Sequence, residues 1–267
     1  MIIPRFAEKF SSNPFFNPKD FLGYLDSLGE LGNRPAPESI IMVFQRSLYN
    51  YVVSNRKTTQ AQGYFAGTVS FLDDVGSSTP GESVPKTSVG LAANFGVGAP
   101  AAAVTMEELI AWGVKKFIVI GYAGSLCNEV TPGSLVLCTK AFRDEGTSAH
   151  YFADDEPALP SQGLTARLEG AFCAHGMRFA KGASWTTDAI YRETPLEIEN
   201  YRKQGALVVE MEASALFSIG KFRDAEVAAC FSVSDTLAEL AWRPEFHAEA
   251  SREGLATLFT AAIDALS

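Results

Sequence analysis

From residue 88 onward short apolar runs alternate with stretches of helix length, and that rhythm leaves few architectures open. The runs are SVGLAANF, KKFIVIGY, GSLVLCTKAF, RFAKGASW, ALVVEM and EVAACFSV. Helical patterns fit between several of them, over residues 100–112, 164–175, 195–204, 212–222 and 245–266. An earlier apolar run at residues 39–44 is followed by a helical pattern from Ser47. Strand and helix alternating in this way predict an α/β sheet covered on both faces. In such sheets ligands collect outside the carboxyl ends of the strands, so the strand ends are where chemistry is sought.

With 267 residues, 47% of them apolar, the chain buries a core without help from disulfides or a structural metal. Twenty-two Lys and Arg against 31 Asp and Glu leave a net charge of −9, which argues against a nucleic acid or an anionic membrane as partner. Cys127, Cys138, Cys173 and Cys230 lie far apart among apolar neighbours and read as reduced thiols. No run reaches the length of a membrane span, and MIIPRFAEKF has no hydrophobic signal core, so the expectation is a cytoplasmic protein. Residues 1–38 read as an N-terminal extension packed on a domain spanning 39–267, and residues 73–85 as a solvated loop.

Three strand ends carry unusual residues. Phe95-Gly96-Val97-Gly98-Ala99-Pro100 is a glycine turn opening a helix at proline, a junction whose free amides can hold an anion. Its match to Gly-x-Gly-x-x-Ala is not read as dinucleotide binding, because no carboxylate follows at the end of the next strand. That strand ends in Gly121-Tyr122-Ala123-Gly124, where backbone approaches something closely. In VVEMEASALF, Glu210, Met211 and Glu212 sit where a strand passes into a helix, and a carboxylate there also suits the helix dipole. The strand EVAACFSV then ends in Ser234-Asp235-Thr236, where Ser or Asp also suits a helix cap. Two carboxylates in one partly dry crevice can be driven to different protonation states, one an anion and one a proton donor.

VVEMEASALF and SVSDTL, in that order and spacing and joined by FGVGAPAAAVTMEELIAWGVKKFIVIGYAGSL, resemble the family-1 nucleoside phosphorylases. That superfamily includes purine nucleoside phosphorylase, uridine phosphorylase and methylthioadenosine/adenosylhomocysteine nucleosidase. The resemblance spans residues 39–266 and implies a three-layer phosphorylase-like α/β fold with a mixed twisted central β-sheet flanked by helices. It also implies a pentosyltransferase that cleaves the N-ribosyl bond of a nucleoside with phosphate as co-substrate, without metal, nicotinamide or flavin. By that resemblance Met211 and Glu212, with Glu210 beside them, hold the ribose, and Gly121 and Tyr122 line the same site. Asp235, with Ser234 next to it, would protonate the leaving base, a pattern that favours purines. Ile190, Tyr191 and Arg192 fall in the base-binding stretch, with Ile190 where relatives carry a stacking phenylalanine. Relatives assemble as dimers that build trimers or hexamers, so a homo-oligomer is expected.

The chemistry asks for these residue types, since breaking a ribosyl bond builds positive charge on the sugar and negative charge on the base. The phosphate ligands are the weak part of the match. Val119 stands where relatives carry an arginine, Tyr122 where they carry Ser or Thr, and Met42-Val43-Phe44-Gln45-Arg46 replaces a Gly-Asp-Pro-x-x-Arg loop. Gly98, Arg46 and Arg143 are the substitutes at hand. A nucleosidase that uses water, and a nucleoside-binding protein without catalysis, are the alternatives. His150, His175 and His247 are assigned no catalytic role, and Met106, Phe217 and Phe222 read as core.

Overall fold

The computed structural model describes residues 8–62, 67–75, 88–153 and 156–267. Most of the stretch expected to form a solvated loop at 73–85 lies outside them. Ten strands and seven helices run in the order β1 (Ser39–Val43), α2 (Arg46–Asn55), β2 (Thr58–Gln60), β3 (Thr68–Leu72), β4 (Val89–Ala93) and α3 (Ala99–Trp112), with α1 (Pro18–Ser27) ahead of them. They continue with β5 (Lys116–Ser125), β6 (Leu135–Asp144), α4 (Gln162–Ala174), β7 (Phe179–Thr187), α5 (Pro195–Lys203) and β8 (Ala206–Glu210). The chain finishes with α6 (Ala213–Arg223), β9 (Glu226–Thr236), β10 (Arg243–Pro244) and α7 (Glu249–Leu266).

The sheet is mixed, and part of it closes on itself. β1 pairs in parallel with β4 and β5, and β5 with β9, as their apolar sequences suggest. β6 and β9 are antiparallel, β6, β7 and β8 are parallel, and β8 returns antiparallel to β5 through Gly124↔Val209 and Ser125↔Val208. The circuit β5–β9–β6–β7–β8–β5 is therefore a ring, from which β1, β4, β3 and β2 extend as an open wing. This pairing carries β5 and β9 three residues beyond the ends expected from their apolar runs. It also makes residues 245–248, expected as helix, part of the strand connection, with the Glu245 amide donating to the Ser234 carbonyl at 2.8 Å.

Helices cover both faces. α3 and α6 pack on each other and share a core with Phe117, Val119, Ala229 and Phe231, while α4, α7 and α2 enclose Ile118, Ile120, Cys230 and Phe172 on the other face. A third cluster around Trp185 and Ile198 lies beneath α5. α1 starts with Pro18 behind an Asn17 capping box, and buries Leu22 and Leu25 in a helix that packs on α3. Met106 and Phe217 are core; Phe222 instead lies exposed, edge-on to Tyr151 and Phe152. No helix among the described residues is long and apolar enough to cross a membrane.

Candidate active site

The strand-to-helix passage at β8 and α6 is built by a carboxylate that never leaves the protein. The first amides of a helix lack intrahelical partners and need acceptors when they are buried. Glu210 supplies them: one oxygen accepts from the amides of Glu212 and Ala213 at 2.8 and 2.7 Å, and the other accepts from Ser184 Oγ and Thr186 Oγ1. Thr186 Oγ1 in turn accepts from the Ser214 amide at 3.0 Å. Glu210, expected among the sugar ligands, is thereby corrected to a helix cap, since both its oxygens are engaged internally.

With the helix start satisfied, Glu212, also buried, is left to reach a different element. Its Oε1 accepts from the Gly98 amide at 2.6 Å, tying the end of β8 to the start of α3. Gly98 has φ +93, a conformation suited to glycine, and Met211 Cε lies 4.0 Å from where a Cβ would stand. The Gly98 amide, expected to meet phosphate, here donates to Glu212. Burial, and then the neighbouring Glu210, push the Glu212 carboxyl up to about 8.

A carboxyl raised in this way binds its proton more tightly folded than unfolded. Its contribution is whole below the ordinary carboxyl range near 4.5 and is lost as pH climbs toward 8. Thermal melts from about pH 5 to about pH 9 are expected to show falling stability, by up to about 5 kcal/mol from this group, with the slope reduced in Glu212→Gln.

Asp235 ends β9 on the opposite side of β5 from β8, and Gly124 of β5 is in register with both Val209 and Asp235. A Cβ on Gly124 would stand 3.2 Å from Asp235 Oδ2 and 2.9 Å from Leu237 Cδ1, so glycine leaves room for the carboxylate. Asp235 is buried, with Oδ1 accepting from Ser234 Oγ at 2.8 Å and Oδ2 from Trp242 Nε1 at 2.9 Å. Half-buried Glu193 stands near enough for its carboxyl to be pushed up to about 7, by burial first and then by the charges of Asp235 and Glu197. Neither Trp242 nor Glu193 was singled out in the sequence. Glu193 directly follows Arg192, the last residue of the stretch expected to bind the base, a signal that was available, whereas Trp242 lies in no motif.

The remaining expected residues divide. Gly121 is buried in the middle of β5, beside Phe44, which directly follows β1. Tyr122 packs edge-on against Phe246 and directs its hydroxyl at the Phe246 carbonyl, 3.5 Å away. Ile190, Tyr191 and Arg192 form an exposed 3-10 turn after β7, with Tyr191 95% exposed. Arg143 is corrected: its guanidinium donates to Ser148 Oγ and to the carbonyls of Phe152, Ala153 and Glu156, so it ties down a loop. Arg46 opens α2 and is exposed. Val119 is core. Glu145, Glu193, Glu210, Glu212 and Asp235 form no ion pair among the described residues.

A hollow of about 950 Å³ lies between residues 8–21 and α3, lined by Phe10, Phe16, Val104 and Tyr151 among others; neither Glu212 nor Asp235 opens into it. No group of three or more His, Cys, Asp or Glu side chains among the described residues is placed to hold a metal ion.

Comparison with known proteins places this arrangement. A guanosine phosphorylase of Halorubrum lacusprofundi is 30% identical over 142 residues, 53% of this chain and 59% of that protein. A uridine phosphorylase of Treponema pallidum is 34% identical over 139 residues, 48% of this chain and 54% of that protein. The chain thus matches between half and three fifths of the length of these relatives. Among solved structures, a Toxoplasma gondii purine nucleoside phosphorylase in complex with immucillin-H aligns with TM-score 0.71 at 18% identity, covering 85% of this chain and 90% of that one. A Vibrio fischeri uridine phosphorylase aligns with TM-score 0.69 at 23% identity, covering 86% and 91%. Both carry the same fold. The phosphorylase superfamily model matches residues 84–264, which include β4 through β9, Glu212 and Asp235, and the chain belongs to that superfamily.

Proposed function

We propose that the protein is a nucleoside phosphorylase that cleaves the N-ribosyl bond of a purine nucleoside with phosphate, releasing free base and ribose 1-phosphate. The observation that carries this reading is the pair of buried carboxylates flanking the end of β5, Glu212 tied to the start of α3 and Asp235 in register with Gly124. Glu212, with Met211 beside it, takes the sugar hydroxyls. Asp235, with Ser234 holding its other oxygen, gives hydrogen to the imidazole nitrogen of the leaving base, where negative charge develops. Glu193, its carboxyl raised to about 7 by burial and then by the charges of Asp235 and Glu197, is the proton-carrying group nearest that acid in this scheme. No metal or organic cofactor enters this scheme. Action on a small soluble metabolite in the cytoplasm, by a homo-oligomer, completes the proposal.

Phosphate needs a cation, and among the described residues the acidic groups around the site form no ion pairs of their own. Arg46, exposed at the start of α2 three residues after β1, is the arginine we assign to it. Arg46→Ala is expected to raise KM for phosphate about 10- to 100-fold while changing KM for the nucleoside little. Steady-state kinetics with phosphate varied at fixed nucleoside check this.

A specific observation favours a second reading. Val119 is core, and the Gly98 amide and Arg143 donate within the protein, an arrangement that suits a hydrolase using water. One experiment separates the readings: a panel of purine and pyrimidine nucleosides incubated with and without phosphate, with products resolved. Ribose 1-phosphate formed only with phosphate supports the phosphorylase. Free ribose at equal rates in both arms establishes the nucleosidase. Saturable binding with no free base leaves a nucleoside-binding protein.

A further inference from the structure

Resting on the base-side role proposed for Asp235, we infer that Trp242 is the aromatic surface on which the leaving base stacks, and that its hydrogen bond to Asp235 is exchanged for that contact when substrate enters. Asp235 has two donors of opposite character. Ser234 is its neighbour in β9 and is buried, so that hydroxyl is fixed. Trp242 is 63% exposed, on the excursion between Thr236 and Arg243. A buried carboxylate whose second oxygen is held by a surface indole has one exchangeable position, and the incoming base needs that position to meet the acid.

The surroundings supply the stacking argument. A purine needs an aromatic or apolar face, and the 3-10 turn at Ile190–Arg192 offers an aliphatic side chain and a tyrosine that is almost wholly solvated. From Trp242, aromatic rings continue inward instead: Trp242 lies 6.4 Å from Phe246, and Phe246 lies 6.1 Å from Tyr122 within β5. The excursion is fixed at both ends, where the Leu237 amide donates to the Ser125 carbonyl and the Glu245 amide to the Ser234 carbonyl, each at 2.8 Å. At its tip Leu240 has φ +56, a conformation that non-glycine residues seldom adopt. The indole is thus presented on a short anchored hairpin beside the acid, where a rotation of its side chain moves it from the Asp235 oxygen to a ring above it.

The three tryptophans make the test direct. Trp185 is buried and stacked on Tyr201, and Trp112 packs edge-on against Phe71, so Trp242 is the exposed reporter among them. Titration of the full-length protein with hypoxanthine, guanine and adenine is expected to quench and shift indole emission in the wild type and to leave W242F emission unchanged. W242A is expected to raise KM for purine nucleosides about 10- to 100-fold, whereas W242F, which keeps a ring but no N–H, holds KM within about threefold of the wild type. Both variants are checked for native circular dichroism.

If the wild-type emission is silent while nucleosides are cleaved, Trp242 does not meet the base, and the role of Asp235 stands without it. If W242F is impaired as much as W242A, the N–H that holds Asp235 matters rather than the ring, and the inference falls. If no purine base binds by calorimetry and no nucleoside is cleaved, the proposed function falls and takes this inference with it.

Discussion

Replacing Asp235 with asparagine lowers kcat on purine nucleosides by about 100- to 10,000-fold, the range that a positioned general acid contributes. The substitution keeps the shape and removes the exchangeable proton. On ribosides whose leaving group departs as a stable anion, the loss is expected to be far smaller, because little protonation is needed. Equal losses on both substrate classes would remove Asp235 as the acid. The asparagine also disturbs its own setting: Ser234 Oγ and Trp242 Nε1 both donate to the present carboxylate, and an amide accepts through one oxygen only. Melting curves run beside the kinetics separate the two effects, since a catalytic loss of this size with a Tm drop of a few degrees cannot come from unfolding.

Glu210→Ala is expected to destabilise the fold by about 3–5 kcal/mol, a cost in the range seen when one member of a buried polar network is removed. Four donors lose their acceptor at once: the amides of Glu212 and Ala213 and the hydroxyls of Ser184 and Thr186. None of these residues is exposed, so water does not replace the carboxylate without local opening. For a chain of this size the shift corresponds to a Tm drop of about 10 °C. Glu210→Gln retains an acceptor and is expected to lie between. Differential scanning calorimetry checks this; a Tm within about 2 °C of the wild type would show that α6 does not depend on this cap.

The two carboxylates proposed for the site stand out in the sequence because their chemistry interrupts otherwise apolar strands, in VVEMEASALF and SVSDTL. What lies between them does not. The sequence suggests that β8 and β9 share a crevice because they follow one another, yet they sit on opposite sides of β5 and are joined across Gly124 and Ser125. That pairing rests on two residues of β8, and no local pattern announces it. β2 and β3 escaped notice because Thr58–Gln60 and Thr68–Leu72 mix hydroxyl and apolar residues on the edge of the sheet, without the continuous apolar run of a doubly covered strand. Glu210 and Glu212 look equivalent in one dimension, and which of them turns inward depends on Ser184 and Thr186 from another strand. Likewise Arg143 offers the right charge at a strand end, but the carbonyls of residues 152–156 decide where its guanidinium goes.

The closed circuit of five strands has a consequence for how copies of this chain can meet. Each strand in the circuit has neighbours on both sides along part of its length, so the wall around the carboxylates offers little free backbone to an incoming strand. The sheet's outer margins are the three-residue β2 and the two-residue β10, too brief to zip against another chain over any useful length. Among the described residues, the surfaces open to a second copy are therefore side chains on helices and connecting segments, which can change without disturbing the frame that holds Glu212 and Asp235 apart.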